Sequence, residues 1–364
     1  MTDSLSALLQ EIFSSAEARL RQLDHHPNRT AWLRILQSLQ RMGSLKLSRL
    51  DAKILAATLE DLEQGFATFQ NYTQRRKVTV FGSARLGADS PEYQQAQLFA
   101  HRISQLGFMV LTGGGGGIME AGNRGAGPEN SFGLNIQLPF EQVVNPFIAA
   151  SDRVINFKYF FSRKLFFVKE TDALVLFPGG FGTQDEAFEC LTLMQTGKTK
   201  LMPLVLVDKQ GGCYWKEWDE YVREHLLSRG LISPEDLHLY SLTDDVGEAC
   251  RQIVDFYRIF HSNRYVRELL VLRLNTKLSP QALEILNEEF ADILDSGRIE
   301  QTEALPEEAE EDIAHLPRLV MRFNQRSFGR LWQMVRRINK LHPAQPDPLQ
   351  MHADQTQLAP PENS

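Results

Sequence analysis

The chain has 364 residues, 43% hydrophobic and 23% charged, with a formal net charge of −7; this is ordinary globular composition, enough for one large domain with appendages. No run of about 18 apolar residues occurs, so no membrane span is expected, and MTDSLSALLQEIFSS lacks the charged and apolar regions of a signal peptide. Residues 1–77 carry +3, 78–260 carry −6 and 261–364 carry −4, which argues against a groove for a nucleic-acid polymer, since that would need a basic stripe.

Residues 1–71 read as helical. ALLQEIFSSAEARLRQL, TAWLRILQSLQRM and LDAKILAATLEDLEQGFATFQ each repeat apolar residues at three- and four-residue spacing. From about residue 72 the character changes. KVTVFG (77–82) is a buried-strand pattern, and strand-like runs then alternate with helical ones: YQQAQLFAHRISQLG, FMVLTGG, IMEAGNRGA, SFGLNIQLP, RVINF, FSRKLFFVKE, ALVLFPGG, QDEAFECLTLMQTG, MPLVLVD, YWKEWDEYVREHLLSRG, HLYSL and VGEACRQIVDFYRIF. Such alternation predicts an α/β domain over 72–260, a parallel sheet with helices on both faces. Residues 261–342 predict a small α/β module: LLVLRL a strand, SPQALEILNEEFADILDSG a helix, RIEQTEAL and PRLVMRF strands, FGRLWQMVRRINKL a last helix, with PEEAEED an acidic loop. Residues 343–364 lack periodicity and read as a disordered tail.

Cys190, Cys213 and Cys250 make neither a zinc spacing nor a disulfide framework, which fits a reducing cytoplasm. No HExxH pair is present, and His25-His26 reads as a solvated pair, so no metal is expected.

Of the 24 glycines, 11 fall in two loops, TGGGGGIMEAGNRGAG (112–127) and PGGFG (178–182). Each lies where a predicted strand gives way to a helix, and in a parallel sheet such ends share the edge where ligands bind. A glycine run admits an anion close to the backbone, and the first free N–H groups of the following helix point at it. Gly113, Gly114 and Gly115 in the first loop, and Gly179, Gly180 and Gly182 in the second, are candidate phosphate contacts. Neither loop is a Walker A loop, and no acidic ribose-binding residue follows the second strand, so a nicotinamide dehydrogenase is disfavoured. Glu186 has two readings. With Thr183 as N-cap it completes a capping box; alternatively its carboxylate faces the crevice beyond the phosphate. Ser83 and Glu120 are candidate contacts from their place on the same edge, although Glu120 also suits the first turn of a helix, where it complements the dipole.

PGGFGTQDE matches the PGGxGTxxE signature of the LOG family, the phosphoribohydrolases formerly labelled lysine decarboxylases. Arg163-Lys164, on the helix before that strand, matches the family's Arg-Lys pair; TGGGGGIMEAGNRGA resembles its first glycine loop and FGSAR (81–85) its opening strand end. Pro139 to Glu141 resembles a substrate-contact element. The resemblance covers about residues 72–260, and the flanking helices and module resemble the larger bacterial members and the nucleotide 5′-monophosphate nucleosidases. It implies a Rossmann-like doubly wound sheet, a homodimer or higher homo-oligomer with active sites near the interface, and hydrolysis of the N-glycosidic bond of a nucleoside 5′-monophosphate, cytokinin or ordinary, to free base and ribose 5-phosphate without a cofactor. By the same resemblance Arg163 and Glu186 are catalytic, Lys164 is a substrate contact that adds a point charge nearby, Gly179, Gly180, Gly182 and Thr183 hold the phosphate, and Glu141 and Thr192 contact ribose or base. The residues have blander readings too: Arg163 and Lys164 as a solvated helix face, and Thr192 as a hydroxyl bonding its own helix. The rival function on the same fold is a nucleotide or cofactor carrier or sensor. A decarboxylase would need a Schiff-base lysine, and the motifs offer none.

Overall fold

The structure, a computed structural model, describes residues 2–22, 26, 28–138, 143–308 and 311–341. Glu141 and the expected tail, 343–364, lie outside the described residues. The chain divides into two units, Met1–Leu62 and Glu63–Ser364. In the first, α1 (Thr2–Arg21) packs against α2 (Arg29–Gly43), and Gln37 Nε2 donates to Glu17 Oε1 at 3.0 Å. A third helix, α3 (Arg49–Phe69), runs from this unit into the next. No described helix is long and apolar enough to cross a membrane.

The second unit holds two sheets. The larger has seven parallel strands in the order β4-β3-β2-β1-β5-β6-β7. Along the chain these are β1 (Lys77–Phe81), α4 (Pro91–Gln105), β2 (Met109–Thr112), α5 (Ile118–Ala126), β3 (Ser131–Ile136), β4 (Val154–Phe157), α6 (Phe160–Glu170), β5 (Ala173–Leu176), α7 (Phe181–Gln195), β6 (Leu204–Val207), α8 (Tyr214–Tyr221), β7 (Ser241–Thr243) and α9 (Val246–Ile259). Every residue of β1, β2, β3, β5 and β6 is buried. That is why these strands are short and largely apolar, with Lys77, Thr79, Ser131 and Asn135 among the buried exceptions: helices cover both faces, so no face alternates with solvent. The result is an α/β, Rossmann-like doubly wound fold. After β4 the chain returns to the other side of β1, and β5 pairs with β1 in parallel. The strand order therefore reverses between β1 and β5, and a crevice opens at their carboxyl ends.

Local chemistry places the helices. Ser90 caps α4 by accepting from Tyr93 N at 3.3 Å, with Pro91 at the first helical position, where its missing N–H costs nothing. Asp245 caps α9 through Glu248 N at 2.6 Å. The helix expected over 214–230 ends as α at Tyr221 and continues as a wider π turn over Val222–Leu227.

The smaller sheet is antiparallel, ordered β10-β11-β9-β8, from β8 (Phe260–Val266), β9 (Leu269–Leu274), β10 (Leu294–Thr302) and β11 (Arg318–Phe323), with α10 (Pro280–Glu289) and α11 (Phe328–Leu341). One stretch without a sequence expectation becomes a strand here, and one expectation changes. FHSNRYV, polar at its centre, is a strand, because its backbone pairs with β9. The helix expected over 279–297 stops at Glu289, and Leu294 onward joins the sheet. The acidic stretch contributes Glu308, buried and paired with Arg273 and Arg318 at 2.9 Å each.

Candidate active site

A cleft of about 680 Å³ lies at the β1/β5 reversal, lined by Gly82, Ser83, Arg85, Met119, Phe160, Arg163 and Gly179 through Glu186. Its floor is stitched across the switch point: Ser83 N donates to Pro178 O at 3.0 Å and Ile118 N to Ser83 O at 3.0 Å. Gly179 has to be glycine, because an added Cβ would lie 2.1 Å from Thr183 Oγ1 and 2.9 Å from Ser83 N. Gly180 and Gly182, by contrast, have open space where a Cβ would stand. The helix begins at Phe181 with Gly180 as N-cap, and no side chain caps it. The capping-box reading of Thr183 and Glu186 is therefore corrected: the helix starts three residues earlier than Thr183 as N-cap requires, and Glu186 lies one turn inside. Thr183 N and Gln184 N donate to Gly180 O at 3.0 and 3.1 Å, so the helix leaves the N–H groups of Phe181 and Gly182, both cleft-lining residues, to other acceptors.

Glu186 is 4% exposed. Its Oε2 and the Nε of Arg163 are buried polar atoms without a hydrogen-bond partner, and both residues line the cleft. Burial pushes the Glu186 carboxyl up to about 7, against the pull of Lys164 and Arg163. The Arg163 guanidinium lies 5.3 and 5.6 Å from the ring centres of Phe167 and Phe160; burial lowers its pKa, and the Glu186 charge opposes that. Arg163 is thus on no solvated face. Lys164 is placed differently from the sequence expectation. It is not in the cleft wall; its Nζ stands 2.8 Å from Asp185, 2.5 Å from Glu189 and 3.6 Å from Glu186 Oε1. Burial works to lower this ammonium, but hydrogen bonds to Asp185 and Glu189 leave it above its ordinary value. Its charge reaches the site through Glu186 rather than through a phosphate.

The first glycine loop forms the inner wall behind Arg163. A Cβ on Gly113 would stand 2.7 Å from Met119 Sδ, too close, and 3.6 Å from Arg163 Nη2, an ordinary contact, so this glycine makes room for the Met119 sulfur. Gly113, Gly114 and Gly115 are buried and outside the cleft lining. The loop's polar groups are bound within the protein: Asn145 N donates to Gly114 O at 2.8 Å, and Asn145 Nδ2 reaches Gly114 O, Gly115 O and Asn123 Oδ1 at 3.1, 3.1 and 2.9 Å. Gly114 N donates to Thr112 Oγ1 at 3.0 Å. Two other candidates stand apart from the cleft. Glu120 accepts from Tyr93 OH at 2.9 Å in the first turn of α5, where a carboxylate faces the positive end of the helix dipole. Thr192 is exposed and donates to Phe188 O at 2.8 Å, one turn back on its own helix.

Sequence reasoning missed Tyr214. Its hydroxyl donates to Gly179 O and accepts from Gln184 Nε2 at 2.7 Å, clamping both ends of the second loop. Its place just after β6, on the same sheet edge, was the available signal. Arg85, Met119, Phe160 and Phe181 were missed as lining; Phe181 is 96% exposed at the cleft rim. Asn145 had no signal beyond an Asn-Pro pair that reads as a turn.

Residues 115–253 match the family model described as "Possible lysine decarboxylase". The pyrimidine/purine nucleotide 5′-monophosphate nucleosidase of Escherichia coli K12 is 28% identical over 181 residues, which is 46% of this chain and 39% of that protein; the O157:H7 protein of the same name matches equally. The chain thus spans well under half the length of the curated relatives it matches. Among solved structures, the molybdenum cofactor binding protein of Rippkaea orientalis is 20% identical, covering 50% of this chain and 96% of that one with a TM-score of 0.35. The molybdenum cofactor carrier protein of Chlamydomonas reinhardtii is 19% identical, covering 50% and 99%, with a TM-score of 0.33. The family-model match over residues 115–253 takes in PGGFGTQDE and the Arg163-Lys164 pair, so this part of the chain is similar to the LOG family.

Proposed function

We propose that the protein hydrolyses the N-glycosidic bond of nucleoside 5′-monophosphates, giving free base and ribose 5-phosphate. The observation that carries this reading is Arg163 and Glu186 lining one cleft, the carboxylate buried and the arginine half-buried, each with a buried and unused polar atom, beside a helix N-terminus that no side chain caps. A carrier needs an anion cradle; it has no need of a buried carboxylate poised near neutrality. The 5′-phosphate sits at the start of α7, against Gly180, Gly182 and the Thr183 hydroxyl. This directs the sugar toward Glu186. As the C1′–N bond breaks, its electron pair leaves with the base and positive charge builds on the ribose. The Glu186 carboxylate stabilises that charge and takes a proton from the water that adds to C1′; the proton then passes to the departing base. Arg163 holds the base or phosphate through its free Nε–H. The aromatic rim of Phe160 and Phe181 suits a planar base. A homo-oligomer belongs to the same reading, since Phe160, Phe161 and Leu165 of α6 are exposed beside the cleft.

The test is to incubate the purified protein separately with AMP, GMP, CMP, UMP and a cytokinin riboside monophosphate, and to follow free base by chromatography. Base release by the wild type, absent in Glu186→Gln, is expected. Nucleotide binding by calorimetry without base release from any of the five would overturn the hydrolase in favour of a carrier or sensor.

A further inference from the structure

A second cavity, of about 310 Å³, lies between α9 and α11, among residues none of which lines the catalytic cleft. Three cations face it: Arg258, Arg336 and Lys340. Arg336 lies over the Trp332 ring, 4.0 Å from its centre, and makes no hydrogen bond or ion pair among the described residues. Burial alone lowers its pKa, to about 10. Arg258 gives one Nη to Asn339 O, while its Nε is buried and unpartnered. Two acids, Glu248 and Asp255, share the wall with them. Glu248 accepts from Arg251 and Gln252 at 3.0 Å each. Ser241 is likewise turned to Gln252.

Folded proteins seldom leave guanidinium N–H groups buried and unused, because each forgoes its hydrogen bonds to water. Here Arg258 Nε is such a group, and the half-buried Arg336 guanidinium, without a hydrogen-bond partner among the described residues, faces the same cavity of small-ligand size, with a lysine at its edge. We propose that this cavity binds a small phosphorylated anion. The Arg336 fork and Arg258 Nε bond its oxygens, Lys340 adds a point charge, and Trp332 holds the Arg336 plane in place. A phosphate offers more acceptor oxygens and more charge than a carboxylate, which matches three cationic groups better than one carboxylate can. The site joins the α/β sheet to the C-terminal module and is independent of the hydrolase reading.

The test is calorimetric titration of the full chain with inorganic pyrophosphate, with citrate in parallel, using wild type, Arg336→Gln and Lys340→Gln. Pyrophosphate affinity should fall roughly tenfold or more in Arg336→Gln, the loss of a charge-assisted hydrogen bond. It should fall about threefold in Lys340→Gln, where the charge is exposed. Base release should stay at the wild-type rate in both, which separates this site from the cleft. Lys340 is exposed, so its variant decides the matter should Arg336→Gln fail to fold. Unchanged pyrophosphate affinity in Lys340→Gln together with an Arg336→Gln that is either unchanged in affinity or unfolded overturns the proposal. So does the absence of pyrophosphate binding to wild type, or citrate binding as tight as pyrophosphate.

Discussion

Residues 112–127 and 178–182 both set glycines where a parallel strand gives way to a helix, yet the two loops use them differently. In the first, Gly113, Gly114 and Gly115 are buried, Asn145 takes the carbonyls of Gly114 and Gly115, and Gly113 clears space for Met119. In the second, Gly179 is wedged against Thr183 and Ser83, and Gly180 and Gly182 lie open at a helix start. One loop is wall and the other is mouth. The same residue type serves close packing where its neighbours are protein and ligand approach where they are solvent. Glycine density alone does not distinguish these uses.

The sharpest contrast should come from Glu186, behind the mouth. Glu186→Gln keeps the shape and removes the carboxylate; turnover is expected to fall about 10²–10⁴-fold, the range for a general acid–base group, with nucleotide binding by calorimetry retained. On the wall side, Asn145→Ala removes the donor to Gly115 O, at a cost of about 2 kcal/mol in denaturant unfolding. Activity per folded molecule should change little. If Asn145→Ala instead abolishes turnover in a stably folded protein, the division between wall and mouth fails.

The carboxyl of Glu186 also sets a pH dependence. Its folded pKa, about 7, is above the ordinary 4.5, so between those values the folded state holds more proton than the unfolded one. Its contribution to stability is therefore greatest below pH 4.5, falls as pH rises to about 7, and is flat beyond. Glu186→Gln should remove that slope, on the order of 3 kcal/mol across the window. Because the ionised form is the working one, kcat/KM should climb with pH and level off above about 7. Lys164→Met withdraws a charge that favours ionisation, so the rise should move upward by about one pH unit. A downward or absent shift would show that Lys164 acts elsewhere.

The smallest effect separates the glycines of the mouth. Gly180→Ala meets nothing within 4 Å and should alter stability by under about 0.5 kcal/mol, with its effect confined to KM for nucleotide. Gly179→Ala should lower stability measurably, since the backbone N of Ser83 cannot yield to a Cβ.

Much of this was determined by the sequence. The alternation of apolar runs with amphipathic ones dictates a buried parallel sheet, because strands covered on both faces are predominantly apolar. Proline, glycine and the Arg-Lys and Glu spacings mark the strand ends that meet at the crevice. Tertiary structure decided the rest. The start of α7 at Phe181 rather than after Thr183 follows from how the loop seats on Ser83 and Tyr214, and helix boundaries do not follow from capping preference alone. The polar β8 became a strand because β9 offered its backbone a ladder, a long-range pairing invisible to local periodicity. Lys164 turned to three carboxylates, Thr192 to its own helix and Asn145 to the glycine carbonyls. A polar side chain takes the partners that folding brings within about 3 Å, and those partners are set by distance in space, not along the chain.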